Sequence, residues 1–158
     1  MAMQPAYDWT QYTLKIRIAA SPAKLYKAWT DSRAISDWFT WKADIEPRKN
    51  GRLYLEWQSG DKWEGKVIKV VKNRQFVFTF GDDGEEVKVR MLKDDRGCIC
   101  ELSQYNMKTS PKAKVSMHLS TKTGWTFFLA NLKAYLEHGV DLRSTNIKYS
   151  WRKDFING

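Results

Sequence analysis

Residues 124–143 read GWTFFLANLKAYLEHGVDLR, and the spacing inside this stretch decides the fold. Trp125, Phe128, Leu129, Leu132, Tyr135 and Leu136 recur at steps of three and four, which on an α-helix gathers them into an arc of about 120°. Thr126, Lys133 and Glu137 fall outside the arc and are expected in water. Phe127 also falls outside it, so it should meet the N-terminal lead, the tail or another chain. Gly139, just after His138, is a natural helix stop, because glycine enters the left-handed conformation at no steric cost. A long helix with one apolar face needs a broad apolar surface to lie on.

The middle of the chain supplies that surface. From about residue 42 the period becomes two, and turn clusters (PRKNGR, QSGDK, VKNR, GDDGE, KDDRG) recur at regular intervals, the pattern of successive antiparallel hairpins. RLYLEWQS puts Leu53, Leu55 and Trp57 on one face; Val87, Val89 and Met91, then Cys98, Cys100 and Leu102, mark the inner faces of two later strands. YTLKIRIAA alternates Tyr12, Leu14, Ile16 and Ile18 against polar residues and reads as strand one. Six or seven strands result. Between strand one and the meander, Ser21-Pro22 signals a helix start and Asp31 caps a second short helix that closes with Trp38 and Phe39. KTSPKAKVSMHLS is too polar for a core strand and reads as a loop or an edge. The class is α+β, with one domain over residues 1–143 and a tail over 144–158 that packs on the domain or on a second chain.

Composition narrows the function classes. The chain has 158 residues, 42% of them apolar and 14% aromatic, with eight Trp, enough for one core. No apolar run approaches the ~20 residues that span a bilayer, and the lead MAMQPAYDWTQY lacks a basic start and an apolar secretory segment. Membrane insertion is not expected, and the expected location is cytoplasmic. The net charge is +9, but the basic residues stand in ones and twos, which suits a solvated surface better than a nucleic-acid site. Cys98 and Cys100 point to the same side of one strand, where a disulfide would be strained. With only His118 and His138 as company they make a poor metal set, so they read as small apolar core residues, and no metal or cofactor is expected.

Two segments carry a family resemblance. SPAKLYKAWTDSRAISDWFT, a Ser-Pro-capped helix ending at a Thr-Asp turn followed by a helix ending in Trp-Phe, and GWTFFLANLKAYLEHGVDLR, with Gly-Trp near its start and Gly-x-Asp-Leu-Arg at its end, resemble START-like proteins. They are similar to those related to the activator of the ninety-kilodalton heat-shock protein ATPase, in the superfamily that includes the birch pollen allergen. GKVIKVVKNRQFVFTF and GCICELSQ are similar to the family's fourth to seventh strands. The resemblance covers about residues 12 to 143. It implies a helix-grip fold, a curved antiparallel sheet of six to seven strands wrapped around the C-terminal helix, with a cavity between them that in many relatives accepts an apolar small molecule.

No catalytic constellation stands out. His118 sits in the polar run and His138 at a helix end, where a cation is favoured by the helix dipole. Strict alternation turns Glu56 and Glu101 to solvent. Gln104 falls on the inner face, where it must find a partner, either a backbone group or a ligand. The expected cavity wall comprises Trp38, Leu55, Trp57, Phe78, Val89, Cys100, Leu102, Gln104, Trp125, Phe128 and Leu132. The leading function is non-catalytic binding of a small apolar or amphipathic, lipid-like ligand. The alternatives are an interaction module that docks on an acidic protein partner, as a homodimer through IKYSWRKDF, and an enzyme of the cyclase or hydratase kind. Single-stranded nucleic acid ranks last, since it needs aromatics facing outward.

Overall fold

The computed structural model describes residues 3–150, 152 and 154–158. Strand β1 (Tyr12–Ile18) is followed by helices α1 (Pro22–Thr30) and α2 (Ser32–Ser36). Then come strands β2 (Lys42–Ile45), β3 (Arg52–Glu56), β4 (Lys62–Val71), β5 (Gln75–Thr79), β6 (Glu86–Asp94) and β7 (Gly97–Tyr105), and last the long helix α4 (Ser120–His138). The seven strands form one antiparallel sheet in the order β1-β7-β6-β5-β4-β3-β2. Strand one therefore closes back on the last strand, with Ile16 opposite Cys100 and Tyr12 opposite Gln104. A break in register between Val67 and Lys69 on β4 is the kind of bulge that bends a strand. The curved sheet wraps α4, and the fold is helix-grip.

The helix starts follow the local signals. Ser21 accepts from the Lys24 amide and Pro22 stands at the first helical position; Asp31 Oδ1 accepts from the Arg33 and Ala34 amides. Gly139 ends α4 at φ 66°, in the left-handed region.

The polar run before α4 is not a loop. Ser110 caps the Ala113 amide, Pro111 sits in the first turn of α3 (Pro111–Ala113), and the chain continues through a π-helical segment (Lys114–Leu119) directly into α4. The same Ser-Pro signal that starts α1 operates here, and the run is polar because most of this helical segment faces water. One residue in it does not. His118 is fully buried, its Nδ1 3.0 Å from the Trp9 carbonyl and its Nε2 2.6 Å from the Tyr7 hydroxyl. The carbonyl can only accept, so Nδ1 carries the proton. His118 thus ties the N-terminal lead to the π segment.

The core lies between the sheet's inner face and the helices. Trp29, Trp38, Phe76, Phe78, Leu55, Leu102 and Leu132 are fully buried. Trp29 stands edge-on to Trp38 at 4.8 Å between ring centres, and the Trp38 indole N–H donates to the Ala28 carbonyl at 2.9 Å. Cys98 and Cys100 are buried thiols in this core, and burial pushes the Cys100 thiol up to about 12. On α4, Leu129 and Leu132 are sealed, while Phe128, Tyr135 and Leu136 are half-buried. Lys133 and Glu137, expected in water, are half-covered instead. Lys133 donates to the Arg17 carbonyl, Glu137 accepts from the Ala19 amide, and the two pair with each other at 2.5 Å, clasping the end of β1. Glu101 does face outward, between Lys15 and Arg90.

Among the described residues of the tail, Ile147–Tyr149 form a 3-10 turn and the segment folds back on itself. The Ser144 amide donates to the Asn157 carbonyl, Asn157 donates to the Leu142 carbonyl, and the Tyr149 and Phe155 rings lie 4.7 Å apart. Phe127 does meet this tail, lining a shallow hollow with Leu142, Ile156 and Asn157. Trp151, read with the tail in the sequence, lies outside the described residues.

Candidate functional site

Between the N-terminal half of α4 and the sheet the packing opens. Phe39 arrives there because α2 ends just before it, Trp57 ends the inner face of β3, and Phe80 follows β5. Trp125 and Phe128 come from α4. These five rings wall a groove of about 310 Å³, completed by Ser120, Thr121 and Gly124 along the helix and by Asp61 on the β3–β4 hairpin. Phe39 meets Trp57 and Phe128 at interplanar angles of 79°, and Trp57 meets Phe80 at 67°, so the walls form a box and not a flat slot. Two hollows adjoin it. One of about 290 Å³ continues past Phe39, Trp57 and Phe128 to Arg143 and the tail; another of about 220 Å³ lies beyond Phe80, toward Trp63, Met117, Lys62 and Asp82.

Of the wall residues expected from sequence, Trp57, Trp125 and Phe128 line the groove. Trp38, Leu55, Phe78, Val89, Cys100, Leu102, Gln104 and Leu132 lie behind it, buried in the core. Gln104 does not point a free amide outward. Its Oε1 accepts from the Tyr12 hydroxyl and the Trp125 indole N–H, both at 2.9 Å, and its Nε2 donates to the Phe80 carbonyl at 3.1 Å. Its chemistry is therefore positioning, since it fixes the ring of Trp125 and the backbone of Phe80, two parts of the groove wall. Burial raises the Tyr12 phenol well above its ordinary value, so the hydroxyl stays a neutral donor. The Trp57 indole nitrogen is buried with no hydrogen-bond partner, a group that costs about 1–3 kcal/mol when left unmet.

Six groove residues lie outside the expected wall: Phe39, Asp61, Phe80, Ser120, Thr121 and Gly124. Phe39 was legible only as a helix end. Asp61 sits in a turn cluster that looks like any other. Gly124 carried a signal, as a glycine inside a helical pattern normally costs about 1 kcal/mol relative to alanine. Here, apart from its chain neighbours and the surrounding helix backbone, no atom lies within 4 Å of where its Cβ would stand, and its φ is not in the left-handed region. Neither close packing nor backbone conformation asks for a glycine there. What the missing side chain leaves is open space in the groove.

Asn131 was also missed. Fully buried on α4, it donates to the Trp38 carbonyl and to Asp141, and accepts from the Leu142 amide at 2.6 Å, docking the segment after the helix. Arg143 in that segment is spent, donating to the Thr40 and Ser36 carbonyls and pairing with Asp141. Burial pushes the Asp141 carboxyl up, but hydrogen bonds from Arg143 and Asn131 outweigh it and hold the group below its ordinary value. Among the described residues no group of three or more His, Cys, Asp or Glu is placed to hold a metal ion, and no helix is long and apolar enough to cross a membrane.

Residues 19–137 match the family described as Activator of Hsp90 ATPase homolog 1-like protein. No curated protein matches the sequence. Solved structures agree in fold. A Staphylococcus saprophyticus protein superposes with a TM-score of 0.73 at 20% identity, over 87% of this chain and 98% of its own. The Aha1 dimer from Colwellia psychrerythraea gives 0.72 at 21%, covering 82% and 97%. An HSP90 activator from Plasmodium falciparum gives 0.66 at 22%, covering 80% and 96%. Identities this low establish the shared fold alone.

Proposed function

Since the chain belongs to the Activator of Hsp90 ATPase homolog 1-like family, within the START-like superfamily, we propose that it is a binding domain whose groove takes a small apolar or amphipathic molecule beside the C-terminal helix. The proposed ligand surface is Phe39, Trp57, Phe80, Trp125 and Phe128. The remaining residues of the expected wall act from behind, and Gln104 holds two of the five walls in place. Gly124 carries the reading: a helix former would stabilise α4 at this position, and only the groove benefits from its absence. A volume near 300 Å³ lined mostly by aromatic carbon suits a ligand of two or three rings. The groove's only polar side chains besides the tryptophan indoles are Asp61, Ser120 and Thr121, with no base and nucleophile paired among them, which favours binding over chemistry.

The test uses N-phenyl-1-naphthylamine, a neutral dye that brightens in apolar sites. Saturable binding to the natural protein is expected, weakened at least tenfold by Gly124→Leu, whose side chain enters the groove without backbone strain. Equal binding by a folded Gly124→Leu protein sinks the reading.

A second reading has its own support. Val140, Leu142, Ile147, Phe155 and Ile156 are apolar and 43–75% exposed around the tail, and two of the similar structures are an Aha1 dimer and an HSP90 activator. Under this reading the tail face docks on a protein, either an acidic partner or a second copy. A dimer in sedimentation analysis that Ile156→Asp converts to monomer supports the second copy; a monomer that captures no purified acidic chaperone sets the reading aside.

A further inference from the structure

Resting on the groove reading, we propose that the preferred ligand is an organic cation, an ammonium group carried on an aromatic or aliphatic body, with Asp61 as its counter-ion. Among the described residues Asp61 is the only ionisable side chain that lines the groove. It makes no ion pair among them, and its Oδ2 accepts only from the Ser59 hydroxyl, at 2.8 Å. Most carboxylates of this chain are likewise unpaired among the described residues, so what sets Asp61 apart is its place on the groove.

Arg143 lines the adjoining hollow and not the groove, and it spends four of its five N–H groups on Asp141 and on the Thr40 and Ser36 carbonyls. Lys62 lines the hollow beyond Phe80 and not the groove itself. The walls favour the same sign of ligand. Aromatic faces attract an ammonium group and not a carboxylate, and the groove's five rings meet at angles from 34° to 79°.

The net charge of +9 makes the claim sharp. A field of that sign draws anions toward the protein as a whole, so a preference for cations must come from the groove. Ser120 supplies a hydroxyl along the same wall whose oxygen can accept from an ammonium N–H, while the Thr121 hydroxyl is held by the Met117 carbonyl and the Tyr12 hydroxyl.

The test measures displacement of N-phenyl-1-naphthylamine by three molecules of one shape and different charge: 1-naphthylmethylamine, 1-naphthalenemethanol and 1-naphthylacetate. The amine is expected to bind roughly tenfold more tightly than the alcohol, and the acetate most weakly. Asp61→Asn, exposed and nearly isosteric, should cut the amine's advantage over the alcohol, read as the ratio of the two affinities in the same variant, to about threefold or less. If the dye binds and Gly124→Leu blocks it, but amine and alcohol compete equally or the acetate wins, the cation proposal is overturned and the groove stands. An amine advantage that survives Asp61→Asn intact also overturns it. If the dye does not bind at all, the groove reading falls, and this proposal with it.

Discussion

Helix α4 presents one apolar face to one sheet, yet its two ends behave differently. Toward the C-terminus Leu129 and Leu132 are sealed against Trp38 and the sheet core; toward the N-terminus the same face opens into the groove at Gly124. The sheet differs between them, with Trp57 and Phe80 at the groove and the end of β1, where Ile16 faces Cys100 and Ile18 faces Cys98, beside Lys133 and Glu137. Side-chain size on the helix differs too: leucines fill the space at one end, and serine, threonine and glycine leave it open at the other. A filled interior and a binding groove are thus neighbouring stretches of one interface, divided by about two turns of helix.

The sealed end should be the more sensitive to truncation. Trp38→Ala removes a fully buried ring and the hydrogen bond to the Ala28 carbonyl, and is expected to cost about 3 to 5 kcal/mol in urea unfolding. Dye binding should weaken only in proportion to unfolded protein. Loss of binding in the folded fraction would mean that the two ends are one unit and that the division is misplaced.

Next in size is an alkaline effect confined to the sealed side. Burial raises the Cys100 thiol from 9.0 to about 12, so in this range the folded protein holds a proton that the unfolded chain has lost. Stability from this group is complete below about pH 9 and declines as pH rises toward 12, by about 2 to 3 kcal/mol at about pH 11. Cys100→Ala should flatten that slope in pH-dependent unfolding. Identical slopes in the two proteins would remove the thiol as the cause.

Gln104 stands behind the open end, bonded to Tyr12, Phe80 and Trp125, and Gln104→Leu sharpens the comparison. The substitution leaves the Trp125 indole N–H and the Phe80 carbonyl without their partner, while the Tyr12 hydroxyl keeps Thr121, an expected loss of about 2 kcal/mol. Because Trp125 and Phe80 are groove walls, dye affinity should fall in the folded protein too, which separates it from Trp38→Ala. Unchanged affinity would show that the groove keeps its shape without this support.

The same division explains what the sequence disclosed. Periods of two and of 3.6 report which face of an element is covered, and they placed the strands, the stripe on α4 and the inward Gln104. They do not report whether the covering is tight, so the expected wall mixed groove residues such as Trp57 and Phe128 with sealed ones such as Phe78 and Val89. His118 and Asn131 were illegible for another reason. Each is a polar residue buried by partners distant in sequence, Tyr7 and Trp9 in one case and Trp38 in the other, and polarity alone suggested water. The helical run from Pro111 was hidden by its composition, although Ser110-Pro111 announced it with the same signal as Ser21-Pro22.

The smallest expected change is the most discriminating. Gly124→Ala adds one methyl to the open end, in space where no atom beyond its chain neighbours and the surrounding helix backbone lies within 4 Å and with no left-handed backbone to oppose it. Helix propensity alone should then raise stability by about 1 kcal/mol, or about 2 to 4 °C in melting temperature for a chain of this size. The same methyl narrows the groove, so dye affinity should fall by a few-fold while stability rises. Truncations at the sealed end lower stability and leave binding in the folded protein alone; this substitution moves the two in opposite directions. If Gly124→Ala raised stability with no loss of affinity, the glycine would not be holding the groove open, and the open end would be an ordinary packing defect.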